Sequence, residues 1–367
     1  MKERCLLFIF VFLLPCFLFS WPDEKVSAEK KGDKKKNRFV ILPLVFYTPL
    51  TGIAGGAGGV YYWRTLEDIS KESPSTILMD FIYTQKDQIV CEVTPHLFLQ
   101  GGTFHLVGYL GLKRFAEKFY GIGPLSSEDM EEDYSYRSAK LGLSLRRRLT
   151  TKLYFGLQYD FEYFDPMEFK TGGILDSGSV VGRNGGRVSG LGLIFVRDGR
   201  DDIFFPTNGL FFQASATIFV KQLGSEYIFQ KFNIDLRQYV SLFSNHVLAF
   251  QESINSTSGS VPFQWLPALG GPWVMRGYIL GRFRDKNMFH IQMEYRLPLA
   301  WRLGVVGFLG YGGVADKMSR IKLSDLKLTG GCGIRYQLNR DATMNVRLDF
   351  GFAKGSFGVY AMINEAF

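Results

Sequence analysis

Four histidines, His96, His105, His246 and His290, are the first residues to weigh for chemistry. None has a neighbouring serine or carboxylate in a recognisable catalytic motif. His290 stands four residues from Glu294. On a strand that spacing is about 13 Å, too far for direct pairing. The glycine-rich run at 52–59 (GIAGGAGG) lacks the Lys-Ser/Thr of a phosphate loop. No paired-cysteine metal spacing occurs. Asp198, Asp201 and Asp202 could hold a cation, but Arg200 among them favours a salt-bridged turn. These residues predict no enzyme, and no cofactor or metal is expected.

The elements that would carry such residues are read from composition and period. Aromatics make up 16%, glycine numbers 41, and mean hydropathy is +0.01. A disordered chain would be aromatic-poor and far more polar. A helical membrane bundle would have a clearly positive mean hydropathy. Four cysteines in 367 residues exclude a disulfide scaffold. High aromatic and glycine content with cancelling hydropathy fits a transmembrane β-barrel, whose lipid-facing and lumen-facing residues alternate.

The alternation is direct. Tyr154, Gly156, Gln158, Asp160 and Glu162 share one face of a strand, while Phe155, Leu157, Tyr159 and Phe161 share the other. His290, Gln292, Glu294 and Arg296 oppose Phe289, Ile291, Met293 and Tyr295 in the same way. Asn345, Arg347 and Asp349 oppose Val346, Leu348 and Phe350. A helix cannot bury a period of two.

The whole chain yields sixteen candidate strands: 39–48, 52–64, 76–84, 88–99, 103–113, 135–148, 151–163, 185–198, 209–220, 226–240, 246–256, 287–298, 303–314, 328–338, 343–353 and 356–367. The long connections 114–134, 165–184, 257–286 and 315–327 all follow odd-numbered strands, so they share one side, the expected extracellular one. The expected fold is therefore all-β, a 16-stranded antiparallel transmembrane β-barrel.

Ahead of it, residues 1–28 read as a signal peptide, with apolar Leu6 to Trp21 and Val26-Ser27-Ala28 before the cut. Cutting after Ser20 is an alternative. Residues 29–38 (EKKGDKKKNR) form a basic linker, and 39–367 the barrel domain. The linker supplies part of the net charge of +8, which therefore gives no support to nucleic-acid binding. Cleavage after Ala28 would leave only Cys91 and Cys332, either free or paired.

Several motifs carry a further resemblance. Leu269-Gly270-Gly271, Met275-Arg276-Gly277-Tyr278, Asp285-Lys286-Asn287 and Glu294-Tyr295-Arg296 follow one another around the eleventh connection. Asp198-Gly199-Arg200-Asp201 with Phe205-Pro206-Thr207-Asn208-Gly209 forms a short-side turn. Tyr47-Thr48-Pro49-Leu50-Thr51-Gly52 stands at the first hairpin, Phe119-Tyr120-Gly121-Ile122-Gly123 opens a loop, and Phe367 is an aromatic at the end. Together they resemble the BamA/TamA superfamily of outer-membrane assembly and translocation barrels, the bacterial surface antigen family. The resemblance covers about Arg38 to Phe367 and looks like a short member without periplasmic substrate-binding domains.

That resemblance implies a bacterial outer-membrane protein that inserts barrel proteins or translocates a polypeptide. It implies that the loop between strands 11 and 12 folds into the lumen and that Arg276, beside Gly277 and Tyr278, meets Glu294. The family's second acidic partner on strand 13 is replaced here by Gly310, and Asp349 is the substitute considered. Asp198, Arg200, Asp201, Pro206 and Gly209 would form the periplasmic turn. A lateral seam between strands 1 and 16 would be weakened by Pro43 and Gly358, with Phe367 at its end. Implied partners are outer-membrane lipid and lipopolysaccharide, unfolded barrel or secreted clients, and a separate periplasmic protein supplying the missing domains. The competing expectation is a passive pore or surface antigen with a plugged lumen.

Overall fold

The computed structural model describes residues 38–48, 51–63, 75–299, 302–339 and 344–367. The expected signal peptide and all but the last residue of the basic linker lie outside these, as do Pro49 and Leu50. The strands are β1 (Arg38–Thr48), β2 (Gly52–Trp63), β3 (Ser75–Thr84), β4 (Ile89–Leu99), β5 (Phe104–Phe119), β6 (Glu132–Arg148), β7 (Leu153–Phe169), β8 (Gly186–Asp198) and β9 (Gly209–Phe219). There follow β10 (Phe229–Ser241), β11 (Val247–Gly259), β12 (Ala268–Leu269), β13 (Phe283–Arg284), β14 (Asn287–Pro298), β15 (Leu303–Ala315), β16 (Lys327–Asn339), β17 (Met344–Ala353) and β18 (Ser356–Ile363).

All but β12 and β13 join one antiparallel sheet of sixteen strands in chain order. The sheet curls until its ends approach. A Cβ placed on Gly58 of β2 would lie 3.7 Å from Leu44 of β1 and 3.8 Å from Ile363 of β18. Among the described residues no ladder joins β1 to β18.

The sheet is polar inside and apolar outside. Arg146, Glu162, Gln251, His290, Gln292 and Arg347 are buried on the inner face. Leu110, Leu145, Leu157, Leu193, Phe232 and Leu309 are exposed on the outer one. An apolar outer belt of this extent is not tolerated in water. A bilayer accepts it, provided that backbone hydrogen bonds are satisfied within the sheet.

Several strand bounds and one ribbon differ from the sequence reading. β5 runs to Phe119 and β7 to Phe169, and β6 begins at Glu132, so the third hairpin connection shrinks to 120–131. Aromatic packing extends these strands. Phe119 and Tyr134 meet Phe263 edge-on at 5.1 and 5.3 Å, and Phe219 meets Trp265 at 5.1 Å. With Phe164, Leu175 and Val261 they make an apolar cap at the long-loop end. Two residues carry no readable period, so β12 and β13 escaped notice. Finally, the last strand ends at Ile363 rather than Phe367, because Asn364 takes a left-handed φ of 69° and turns the chain inward.

Candidate functional site

The connection between β11 and β14 enters the interior of the curled sheet. Its neck is the β12–β13 ribbon, in which Ala268 pairs with Arg284 and Leu269 with Phe283. Leu269, Met275, Tyr278, Phe283, Met288 and Val314 pack into a buried apolar cluster that holds the loop against the wall. At its tip Met275 has φ 54° and Gly277 φ 118°, which presents Arg276 outward from a sharp turn.

Arg276 bridges two strands. Its Nη2 donates to Glu294 Oε1 on β14 at 2.5 Å, and its Nη1 donates to Asp349 Oδ2 on β17 at 2.5 Å. The guanidinium lies 3.7 Å from the centre of the Phe308 ring on β15. Relative exposure is 1% for Arg276 and 0% for both carboxylates. Arg296 donates to the other oxygen of Glu294 at 3.1 Å. Arg335 and Arg347 donate to Asp349 at 2.5 and 2.6 Å, and Arg335 also reaches Glu365 at 2.6 Å. Four guanidinium groups and three carboxylates thus share one dehydrated network. Burying any of these charges alone would cost several kcal/mol, so each depends on its partners.

The loop backbone is tied to β17 and β18. Gly277 N donates to Tyr360 Oη at 3.0 Å, and that hydroxyl donates to Tyr278 O at 3.1 Å. Ser356 Oγ donates to Gly277 O at 2.7 Å. Arg347 reaches Pro272 O at 3.0 Å, and Gln292 reaches Trp273 O at 2.8 Å. The approach needs bare backbone on both sides. A Cβ on Gly351 would lie 2.6 Å from Gly277 N, and one on Gly277 would lie 2.8 Å from the Phe352 carbonyl carbon. At Gly310, where the sequence lacks an acidic residue, Met275 Sδ would stand 3.2 Å from an added Cβ. The loop fills that place with a thioether.

The turn at 199–208 closes on itself. Asp198 accepts from Arg200 Nε at 2.9 Å and Nη2 at 2.7 Å. Asp201 accepts from the amides of Thr207 and Asn208 at 2.9 and 3.1 Å, and from the Thr207 hydroxyl. Partial burial pushes the Asp201 carboxyl up, but these hydrogen bonds outweigh it and hold the group below the usual carboxylate range. Gly209 has φ 112°, and a Cβ there would lie 2.3 Å from Gly199 O. Pro206 O accepts from Arg296 Nη1 at 3.2 Å, so the turn is wired to the network around Glu294.

The pattern of the Omp85 superfamily domain matches residues 104–356, more than half of the chain. The chain belongs to the Omp85 superfamily. No curated protein sequence matches it significantly. Among solved structures, BamA from Haemophilus ducreyi lacking POTRA domains 1–3 superposes with a TM-score of 0.57 at 14% identity. That match covers 90% of this chain and 70% of the other. CdiB from Acinetobacter baumannii gives 0.54 at 11% identity, covering 89% and 59%. CdiB from Escherichia coli gives 0.56 at 9% identity, covering 89% and 61%. The chain thus spans about three fifths of the CdiB chains it matches. At these identities the likeness concerns fold.

As an Omp85 protein of the outer membrane, the chain meets lipid with its apolar outer face. At the sheet's ends, Pro43 is exposed opposite Ala57 in the β1–β2 ladder. Gly358 on β18 leaves room for Tyr360, since a Cβ there would lie 2.3 Å from the Tyr360 hydroxyl. Phe367 is not on the strand edge. It is buried with Tyr239, Ala249 and Ala366, and its carbonyl accepts from Arg296 Nη2 at 2.9 Å. Cys91 on β4 and Cys332 on β16 are free thiols. Sequence reasoning singled out Arg276, Glu294 and Asp349 but passed over Arg335, Tyr360, Ser356, Gly351 and Glu365. Inward alternation is the signal that could have found Arg335 and Tyr360, but nothing in their spacing says that they converge.

Proposed function

We propose that this Omp85 protein closes as a sixteen-stranded barrel and assists insertion of outer-membrane proteins, or passage of a polypeptide, through the seam between β1 and β18. The observation that carries this reading is the tether of the interior loop to the sheet's last two strands. Asp349, Ser356 and Tyr360 all bind the segment 276–278. The outer edge of β18 has no ladder partner among the described residues, and neither does that of β1. Unpaired backbone groups facing lipid are costly, so such an edge favours a client strand that can pair with it. The loop would hold β18 in position while the client adds. The clients are unfolded barrel or secreted chains, and lipid and lipopolysaccharide surround the seam.

The test is reconstitution into liposomes with an unfolded outer-membrane barrel as client. Wild type is compared with Leu44→Cys/Ile363→Cys, oxidised and reduced, in a background carrying Cys91→Ser and Cys332→Ser. Faster client folding that is abolished by the disulfide and restored by reduction is the expected result. No acceleration, with solute leakage indifferent to the disulfide, would establish the pore instead.

A further inference from the structure

A cavity of about 1630 Å³ opens at the short-turn end of the interior. Arg146 projects into it from β6, with His105 beside it on β5 as its register partner. Arg146 is only 8% exposed, yet it meets no carboxylate among the described residues. Its Nε donates to Ser144 Oγ at 2.9 Å and Nη2 reaches Gln213 Oε1 at 3.5 Å, while Nη1 has no protein partner among them. The neighbouring Cα on the β7 side belongs to Gly156, which leaves the guanidinium room. His105 stacks on Phe98 at 4.2 Å, and its Nε2 is buried without a partner.

The acidic residues at this mouth are engaged elsewhere. Asp198 holds Arg200, Asp201 holds its own turn, and Asp202 accepts from the amides of Phe204 and Phe205 at 2.7 and 2.9 Å. Lys152 lines the same cavity from the β6–β7 turn. Asp198 acts on Arg146 only from beyond salt-bridge distance, so the buried guanidinium has no direct ion pair, and a bound anion would relieve the cost of its burial. A carboxylate is served by the arginine fork alone. Donors arriving from two strands and a turn suit a tetrahedral oxyanion better.

We propose that this vestibule binds a phosphate group, with Arg146 as its main anchor and His105 and Lys152 around it. The group could be carried by a soluble phosphomonoester or by a lipid headgroup. The site is independent of the seam between β1 and β18.

Calorimetry on the purified full chain in a neutral detergent tests it. The probes are inorganic phosphate, glucose 1-phosphate, glucose, and dihexanoyl phosphatidic acid against dihexanoyl phosphatidylcholine. Phosphate should bind, Arg146→Gln should weaken it at least tenfold, and Arg320→Gln on the opposite end should not change it. Tight binding of glucose 1-phosphate with none of glucose identifies a soluble source, and preference for phosphatidic acid a lipid one. Absence of phosphate binding overturns the proposal, as does equal affinity in Arg146→Gln. If Arg146→Gln does not fold, Lys152→Gln decides. A several-fold loss supports the site, and unchanged affinity rejects it.

Discussion

Arg276 and Asp349 lie 73 residues apart in sequence, yet a guanidinium nitrogen of one stands 2.5 Å from a carboxylate oxygen of the other, both fully dehydrated. Arg276 also holds Glu294, so one side chain joins the loop to β14 and to β17. Removing one member of such a network leaves its partners charged and unpaired. Arg276→Ala should destabilise the folded protein by about 3–5 kcal/mol, and Glu294→Ala by a similar amount. Denaturant unfolding of the double variant should show a loss well short of the sum. Strict additivity would mean that the two residues do not interact.

The bare backbones of Gly277 and Gly351 set how close the loop can sit. Gly351→Ala should force them apart and cost about 1–3 kcal/mol, the range for overpacking. Limited proteolysis should then cut within 270–280 faster than in wild type. An unchanged cutting rate would mean that the contact is dispensable.

Tyr360 links the two ends of the site through one hydroxyl that both accepts and donates. Tyr360→Phe keeps the ring and leaves Gly277 N and Tyr278 O without that partner. The expected cost is about 1–3 kcal/mol. Hydrogen exchange at the Gly277 amide should accelerate, while amides of β6 and β7 keep their protection.

The turn at 199–208 should respond to acid. The folded-state carboxyl of Asp201 is held below its unfolded value, so its contribution is present above the ordinary carboxylate range. It is lost as pH falls through the depressed folded value. Asp201→Asn should flatten this acid-side loss, read as exchange of the Thr207 and Asn208 amides between pH 6 and pH 2, a window spanning about two units either side of the usual aspartate value. A wild-type profile in the variant would remove Asp201 from the account.

The fold itself predicts slower gel migration after boiling, because a folded sheet of this size runs compactly in detergent. Identical migration before and after boiling would count against it.

Strand positions were legible because an interior of polar groups and an exterior of apolar ones impose a strict period of two. Residues 287–298 were bounded correctly for that reason, since Gln292 and Glu294 had to face away from Ile291 and Met293. The upper ends of β5, β6 and β7 were not legible. There the strands leave the belt, and Phe119 and Tyr134 answer to Phe263, a residue remote in sequence. The tip of the loop was legible through Arg276-Gly277-Tyr278. Its anchorage was not, because Gly351, Ser356 and Tyr360 look like ordinary strand residues until the loop is laid against them. The inward turn at Asn364 rests on one left-handed residue, which leaves no periodic trace.

The rings of Phe263 and Trp265 tie the loop after β11 to Phe119 on β5, Phe219 on β9 and Phe229 on β10. This makes the long-loop end one packed unit rather than a set of separate hairpin tips.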